Sequence, residues 1–261
     1  MDNLLVIKIG GNVVDDESRL DDFLQQFAGL ACPKILVHGG GMLATRMAEE
    51  LGIKQQMVNG RRITDEETLK VVTMVYAGSI NKEIVVRLQS LGANAIGFTG
   101  ADGNAVLAHK REVANIDYGW VGDVDRVNSG LFKILVINGF VPVVAPITHN
   151  GKGQLLNTNA DTIAQEIAAA MAQKFDVSLI YCFEKAGVLR ATDDESSVIT
   201  SIDPSVYDQL KKDGTISHGM IPKLDNAFQS LASGVDKVVI GKAENLYQLV
   251  NGSGGTTVSN E

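Results

Sequence analysis

Val6-Ile7-Lys8-Ile9-Gly10-Gly11 is the stretch on which the reading of this chain turns. Val6, Ile7 and Ile9 are β-branched and describe a short buried strand, which the two glycines end. Lys8 is out of place there, because a buried ammonium is costly unless an anion meets it. Paired glycines also let a backbone come close to a bulky, charged ligand. Together these features predict a phosphate site at the strand's end. A lysine near a sheet edge followed by an ordinary turn would leave the same six residues, so the flanking sequence must decide.

Moving outward, Asp15-Asp16 signals a helix start, and Leu20, Phe23, Leu24 and Phe27 give it one apolar face as far as Gly29. Lys34 to His38 is the next strand, and Gly39-Gly40-Gly41 leads into a helix from Met42 to Leu51. Strand, glycines and helix thus occur twice. Backbone N–H groups at such a turn can converge on an anion, assisted by the helix dipole. Asn59-Gly60 is a strong two-residue hairpin signal, with Arg61 and Arg62 directly after it. A guanidinium on such a flap can grip a carboxylate through two parallel bonds, although solvated surface arginines would read alike. Thr64 with Glu67 forms a capping box opening a helical region to Leu91, interrupted at Ala77-Gly78.

Asn94 to Phe98 is a further strand. Val106 to Ala108 and Trp120 to Val124 have hairpin character and are expected to cover the sheet's end as a lid. Asn128 caps a helix through Ile137, and Val141 to Ile147 is a strand carrying Pro142 and Pro146. Asn157-Thr158-Asn159-Ala160-Asp161 heads an alanine-rich helix through Lys174, and three amide or acid side chains in five residues exceed what one cap requires. Val177 to Cys182 and Asp236 to Ile240 are strands, while Asp203-Pro204 and Lys223 open helices. Alternating strands and helices predict an α/β fold, a three-layer αβα sandwich around a mainly parallel sheet, with ligands at the carboxyl ends of the strands. A soft boundary near Lys174 divides residues 1–174 from 175–261.

The net charge of -8 and the lack of a dense Lys/Arg run argue against nucleic acid or anionic membrane as partner and favour a small molecule. Cys32 and Cys182 form neither a disulfide framework nor a zinc spacing. Asp2 and Lys8 disfavour a signal peptide, and no apolar run approaches the ~18 residues of a membrane span, so a cytoplasmic location is expected. H-E-x-x-H, G-x-S-x-G and a Walker loop are absent. His38-Gly39-Gly40-Gly41 is similar to an esterase oxyanion loop but lacks a nucleophile. A nicotinamide-dinucleotide oxidoreductase using NADP is the cross-class alternative, since Gly39-x-Gly41-x-x-Ala44 follows a strand, with Arg61 or Arg62 for a 2′-phosphate. Against it, no acidic residue follows at about twenty positions.

Five motifs in order, Lys8 to Gly11, His38 to Gly41, Asn59 to Thr64, Asn157 to Asp161 and Gly219 to Lys223, resemble the amino acid kinase family across essentially the whole chain. The likeness is strongest to its branch acting on N-acylated glutamate in arginine biosynthesis. It implies transfer of the ATP γ-phosphoryl group to a side-chain carboxylate, with Mg2+ held mainly by the nucleotide phosphates and no dedicated protein metal site. Acetyl is the default acyl group, succinyl the alternative. A carboxylate of pKa ~4.3 is already an ionised nucleophile at neutral pH and needs no general base, so catalysis reduces to alignment and charge neutralisation.

By this resemblance Lys8 and Lys223 stabilise the transition state and Asp161 orients both. Gly10, Gly11, Gly40 and Gly41 offer N–H groups, Arg62 holds the α-carboxylate, and Asn157 with Asn159 binds the acylamino acid. Glu184, Gly187, Val188, Leu189, Ile216 and Ser217 line the nucleotide pocket. Glu184-Lys185 departs from the Asp-apolar pair usual there. With only seven residues before Lys8, the chain lacks the leading helix of arginine-inhibited hexamers, so an arginine-insensitive homodimer is expected. A catalytically silent relative is disfavoured by the retention of both lysines and Asp161.

Overall fold

The computed structural model describes residues 2–58, 61–191, 193–216 and 220–260. From the amino end, the chain forms β1 (Asn3–Ile9), single-turn α1 (Gly11–Val14), α2 (Glu17–Gly29), β2 (Lys34–His38) and α3 (Gly41–Glu50). A short hairpin, β3 (Met57–Val58) with β4 (Arg61–Arg62), precedes one long helical run. That run comprises α4 (Glu66–Thr73), a π-helical stretch over Met74–Ile80 and α5 (Asn81–Ser90). Next come β5 (Ala95–Phe98), β6 (Val106–Lys110), β7 (Gly122–Val127), α6 (Ser129–Ile137), β8 (Val141–Val144), β9 (Ile147–His149), β10 (Leu155–Asn157) and α7 (Ala160–Ala172). The remainder contributes β11 (Asp176–Phe183), β12 (Ser201–Ile202), α8 (Pro204–Lys212), α9 (Ile221–Ala232), β13 (Lys237–Lys242), α10 (Leu246–Asn251) and β14 (Thr256–Val258).

Eight strands form the main sheet in the order β12-β14-β13-β11-β1-β2-β8-β5, parallel throughout except where β13 meets β14. β1 therefore lies inside the sheet, between β11 and β2. The edge-lysine alternative is thereby removed. Alternation along β1 sends Leu4 and Val6 into one apolar core with Ile163, Ile167 and Leu224, and sends Leu5, Ile7 and Ile9 into the other with Phe23, Val72 and Leu249. Helices α6, α7, α8 and α9 thus cover one face and α2, α4, α5 and α10 the opposite one. A second sheet, β10-β9-β6-β7, stands beside the first.

Three local expectations need correction. The cap of α4 is Asp65, whose carboxylate accepts from the Thr68 amide, and Thr64 is drawn away by backbone bonds with Tyr118 and Trp120. The break expected at Ala77-Gly78 is a π-helical stretch within continuous helix. The strand expected over 141–147 is divided, because Pro146 has no N–H to continue a ladder and the Ile147 amide turns back to Ala145 O. β8 stays in the main sheet and β9 enters the second. The Asn59-Gly60 turn lies outside the described residues, although β3 and β4 pair antiparallel on either side of it.

Candidate active site

Lys8 shares its strand face with Leu4 and Val6, the face covered by α7, so its side chain runs toward the first turn of that helix. There its ammonium meets Asp161 Oδ1 at 2.7 Å, and the residue is only 7% exposed. Asp161 is held by its own helix start: Asn159 Oδ1 accepts from the amides of Asp161 and Thr162. In-register pairing of β1 with β11 brings Phe183, at the end of β11, to the same face. The Lys8 ammonium stands 5.3 Å from the Phe183 ring centroid. Lys223, in the first turn of α9, stands 3.9 Å from the same centroid. Two cations from opposite ends of the chain thus lie against one aromatic ring. Burial lowers the Lys223 pKa and the Lys8 charge adds to that, while Asp161 and Glu184 oppose it.

The glycine turns after β1 and β2 abut. A Cβ on Gly11 would lie 3.7 Å from the Gly41 amide nitrogen and 4.0 Å from that of Gly40. Gly40 has φ +147°, and a Cβ there would meet Ile80 Cδ1 at 2.2 Å, so both backbone and space require glycine. No side chain caps α1 or α3, which leaves the Gly11 and Gly41 amides at their starts open to an anion, while the Leu43 amide of α3 faces Asp15. His38 supports this nest: Asn81 Nδ2 lies 3.2 Å from its Nε2, and its Nδ1 lies 2.9 Å from Gly39 O. With Asn81 donating to Nε2, Nδ1 carries the proton and donates to Gly39. Complete burial depresses the His38 pKa to about 4. It is a neutral brace with both nitrogens engaged. Asp15 lies beside Gly11, and burial raises its pKa against the opposing effects of Arg46 and the Leu43 amide.

Two clefts flank this junction. The first, of about 230 Å³, is bounded by Gly39 to Gly41, Arg62, Tyr76, Arg111 and Asn157 to Ala160. Arg62 donates through Nη2 to Gly41 O at 2.9 Å and Thr45 Oγ1 at 2.7 Å, and through Nη1 to Gln55. Asn157 Nδ2 donates to Thr64 Oγ1 at 3.0 Å, which leaves Oδ1 to accept from an amide N–H. The second cleft, of about 260 Å³, is bounded by Gly10, Gly11, Phe183, Glu184, Gly187 and Lys223.

Other expected residues fall elsewhere. Val188 is fully buried with its amide on Thr256 Oγ1, Leu189 bridges to Val198, and Ile216 packs in the core, so none of these side chains lines either cleft. Ser217, like His218-Gly219, lies outside the described residues. Sequence reasoning missed Phe183, Tyr76 and Arg111. Phe183 follows directly from Cys182 in a strand already recognised, and strand parity alone would have set it beside Lys8. Tyr76 and Arg111 carried no such signal.

Paired ammonium groups, an amide nest and two adjoining clefts at the carboxyl ends of parallel strands can neutralise a phosphoryl group passing between two bound molecules. The chain belongs to the amino acid kinase family, whose model matches residues 3–242. A Cytophaga hutchinsonii protein named acetylglutamate kinase is 55% identical over 252 residues, spanning 96% of each chain. A Phocaeicola vulgatus protein of the same name is 53% identical over 257 residues, spanning 98% of each. Among solved structures, smu.665 from Streptococcus mutans superposes with a TM-score of 0.81 at 28% identity, covering 100% of this chain and 99% of its own. The nicotinamide-dinucleotide alternative finds no support in these matches.

Proposed function

We propose that this chain transfers the γ-phosphoryl group of ATP to the side-chain carboxylate of N-acetyl-L-glutamate, giving an acyl phosphate for arginine biosynthesis. The observation that carries this reading is the convergence of Lys8 and Lys223 on the Phe183 ring, next to the glycine turns. The full-length likeness to acetylglutamate kinases supplies the substrate.

Lys223 and Lys8 neutralise charge on the moving phosphoryl group, while Asp161 fixes Lys8 by contact and Lys223 by its field. Amides of Gly10, Gly11, Gly40 and Gly41 donate to phosphate and carboxylate oxygens. Arg62 exchanges its internal acceptors for the α-carboxylate, and Asn157 Oδ1 accepts the acylamino N–H, with Asn159 beside it. Residues 1–174 hold the acid. Residues 175–261 hold ATP, through Glu184, Gly187 and the backbone around Val188, Leu189, Ile216 and Ser217. No general base is needed: the acid is ionised, and His38 has neither nitrogen free. Mg2+ would ride mainly on the nucleotide phosphates and shield their charge.

The enzyme is read as a cytoplasmic homodimer. No described helix is long and apolar enough to cross a membrane. The test is acid-dependent ADP release from MgATP, with hydroxylamine trapping of the acyl phosphate and with glutamate, aspartate and carbamate as controls. ADP release that responds to no N-acylglutamate, acetyl or succinyl, would overturn the reading.

A further inference from the structure

Three guanidiniums line the acid-binding cleft, those of Arg61, Arg62 and Arg111, and the reading above uses one. N-acetylglutamate carries two carboxylates. The side-chain carboxylate goes to the amide nest and the lysines, and the α-carboxylate goes to Arg62. The acetyl methyl asks only for an apolar wall. A cation on such a wall is costly to desolvate and gains nothing from a methyl group.

Arg111 stands where the acyl arm must lie. Its amide donates to Val121 O at 2.8 Å, and Val121 bridges in parallel to Asn157, the residue assigned to the acylamino group. Arg62 sits on the other side, over Gly41 and Thr45. The Arg111 side chain is only 13% exposed and is fixed in place. Nε donates to both Asp123 oxygens at 3.0 Å, Nη2 donates to Oδ1, and the Tyr118 ring lies 5.9 Å from Cζ. Asp123 therefore occupies Nε and Nη2 and leaves the two Nη1 donors without a bond to any described residue. The bridge orients the guanidinium and keeps one edge open to a second acceptor. Arg61, exposed on the rim, adds positive potential to the same end of the cleft.

We propose that Arg111 receives a third carboxylate, at the far end of the acyl arm. The substrate class is then N-acylglutamates whose acyl group ends in a carboxylate, N-succinyl-L-glutamate being the simplest, and the enzyme favours them over N-acetyl-L-glutamate. This rests on the kinase reading and narrows it. The phosphoryl transfer itself is unchanged, since the added methylene and carboxylate lie away from the reacting oxygen.

The experiment measures kcat/KM with MgATP for N-acetyl-, N-succinyl- and N-succinamoyl-L-glutamate, the last with an uncharged amide in place of the terminal carboxylate. The wild-type protein is expected to favour the succinyl acid over both others by roughly tenfold or more. Arg111→Leu is expected to reduce the succinyl-to-acetyl ratio by a similar factor, mainly through KM, and Arg111→Lys to restore part of it. Wild-type preference for the acetyl acid, or equal turnover of succinyl and succinamoyl acids, would overturn the proposal and leave the kinase reading intact, with no variant involved. A fall in Arg111→Leu that is the same for all three acids would assign the residue to the β6–β7 ion pair alone. Turnover of none of the acids would remove the kinase reading and this inference with it.

Discussion

At the scale of single residues, the centre is a charge arrangement of two ammonium groups, one carboxylate and one aromatic ring. Replacing Lys8 or Lys223 by Met removes a donor that the proposed mechanism aims at the moving phosphoryl group. Single-turnover kinetics should record a loss of about 2–4 kcal/mol in transition-state stabilisation, mostly in kcat. Near-normal turnover in either variant would cancel its assignment. Lys223 must be protonated to act, and its pKa is lowered in the folded protein, burial being the largest cause. Hence kcat/KM should fall with rising pH below the ordinary lysine range. In Lys223→Arg, whose side chain stays charged, that alkaline limb should vanish from the residual activity. Lys8 was legible in sequence because an ammonium inside a β-branched run is anomalous. Arg111 was not, since its meaning depends on a cross-strand partner twelve positions away, Asp123, and on a cleft wall built by Val121.

At the scale of elements, helix starts do much of the positioning. Asn159→Ala removes the cap of α7 and the support of Asp161. Urea unfolding should give a loss of about 1 kcal/mol, with kcat falling as well, whereas Asn159→Ser should recover most of the stability. Gly40→Ala should be worse, costing roughly 1–3 kcal/mol, because the left-handed backbone and the Ile80 contact both resist a methyl group. His38 ties β2 to α5, and Asn81 Nδ2 also reaches Val143 O on β8. Its folded pKa of about 4 lies below the ordinary 6.5, so between those values the unfolded chain binds the proton and the folded one does not. The stabilisation is complete above pH 6.5 and is lost toward pH 4, by about 3 kcal/mol. Chemical denaturation across that window should show this acid slope in the wild type and a flatter one in His38→Gln. Such elements were largely readable: the caps at Asp16, Asn128, Asp203 and Asn159 all follow from residue type. The π-helical stretch was not, because Met74 to Ile80 carry no local signal for an extra residue per turn.

For the whole molecule, strand and helix alternation predicted the parallel sheet, but strand order was beyond the reach of periodicity. Around the β5 edge, Val86 on α5, Ile96 on β5 and Ile134 and Ile137 on α6 are all exposed. Apolar side chains gathered at an open sheet edge suit a second copy of the chain. Light scattering behind gel filtration should give the mass of two chains, and Ile96→Lys should shift it toward one. A mass near six chains would contradict the homodimer. β1 has a different consequence. Its two neighbours are β2, which follows after α1 and α2, and β11, which begins only at Asp176. A ribosome has therefore made about two thirds of the protein before this innermost strand can find its second neighbour. Until then that edge of the Lys8 strand stays unpaired, which makes the nascent chain a natural client for chaperones that shield open β-edges.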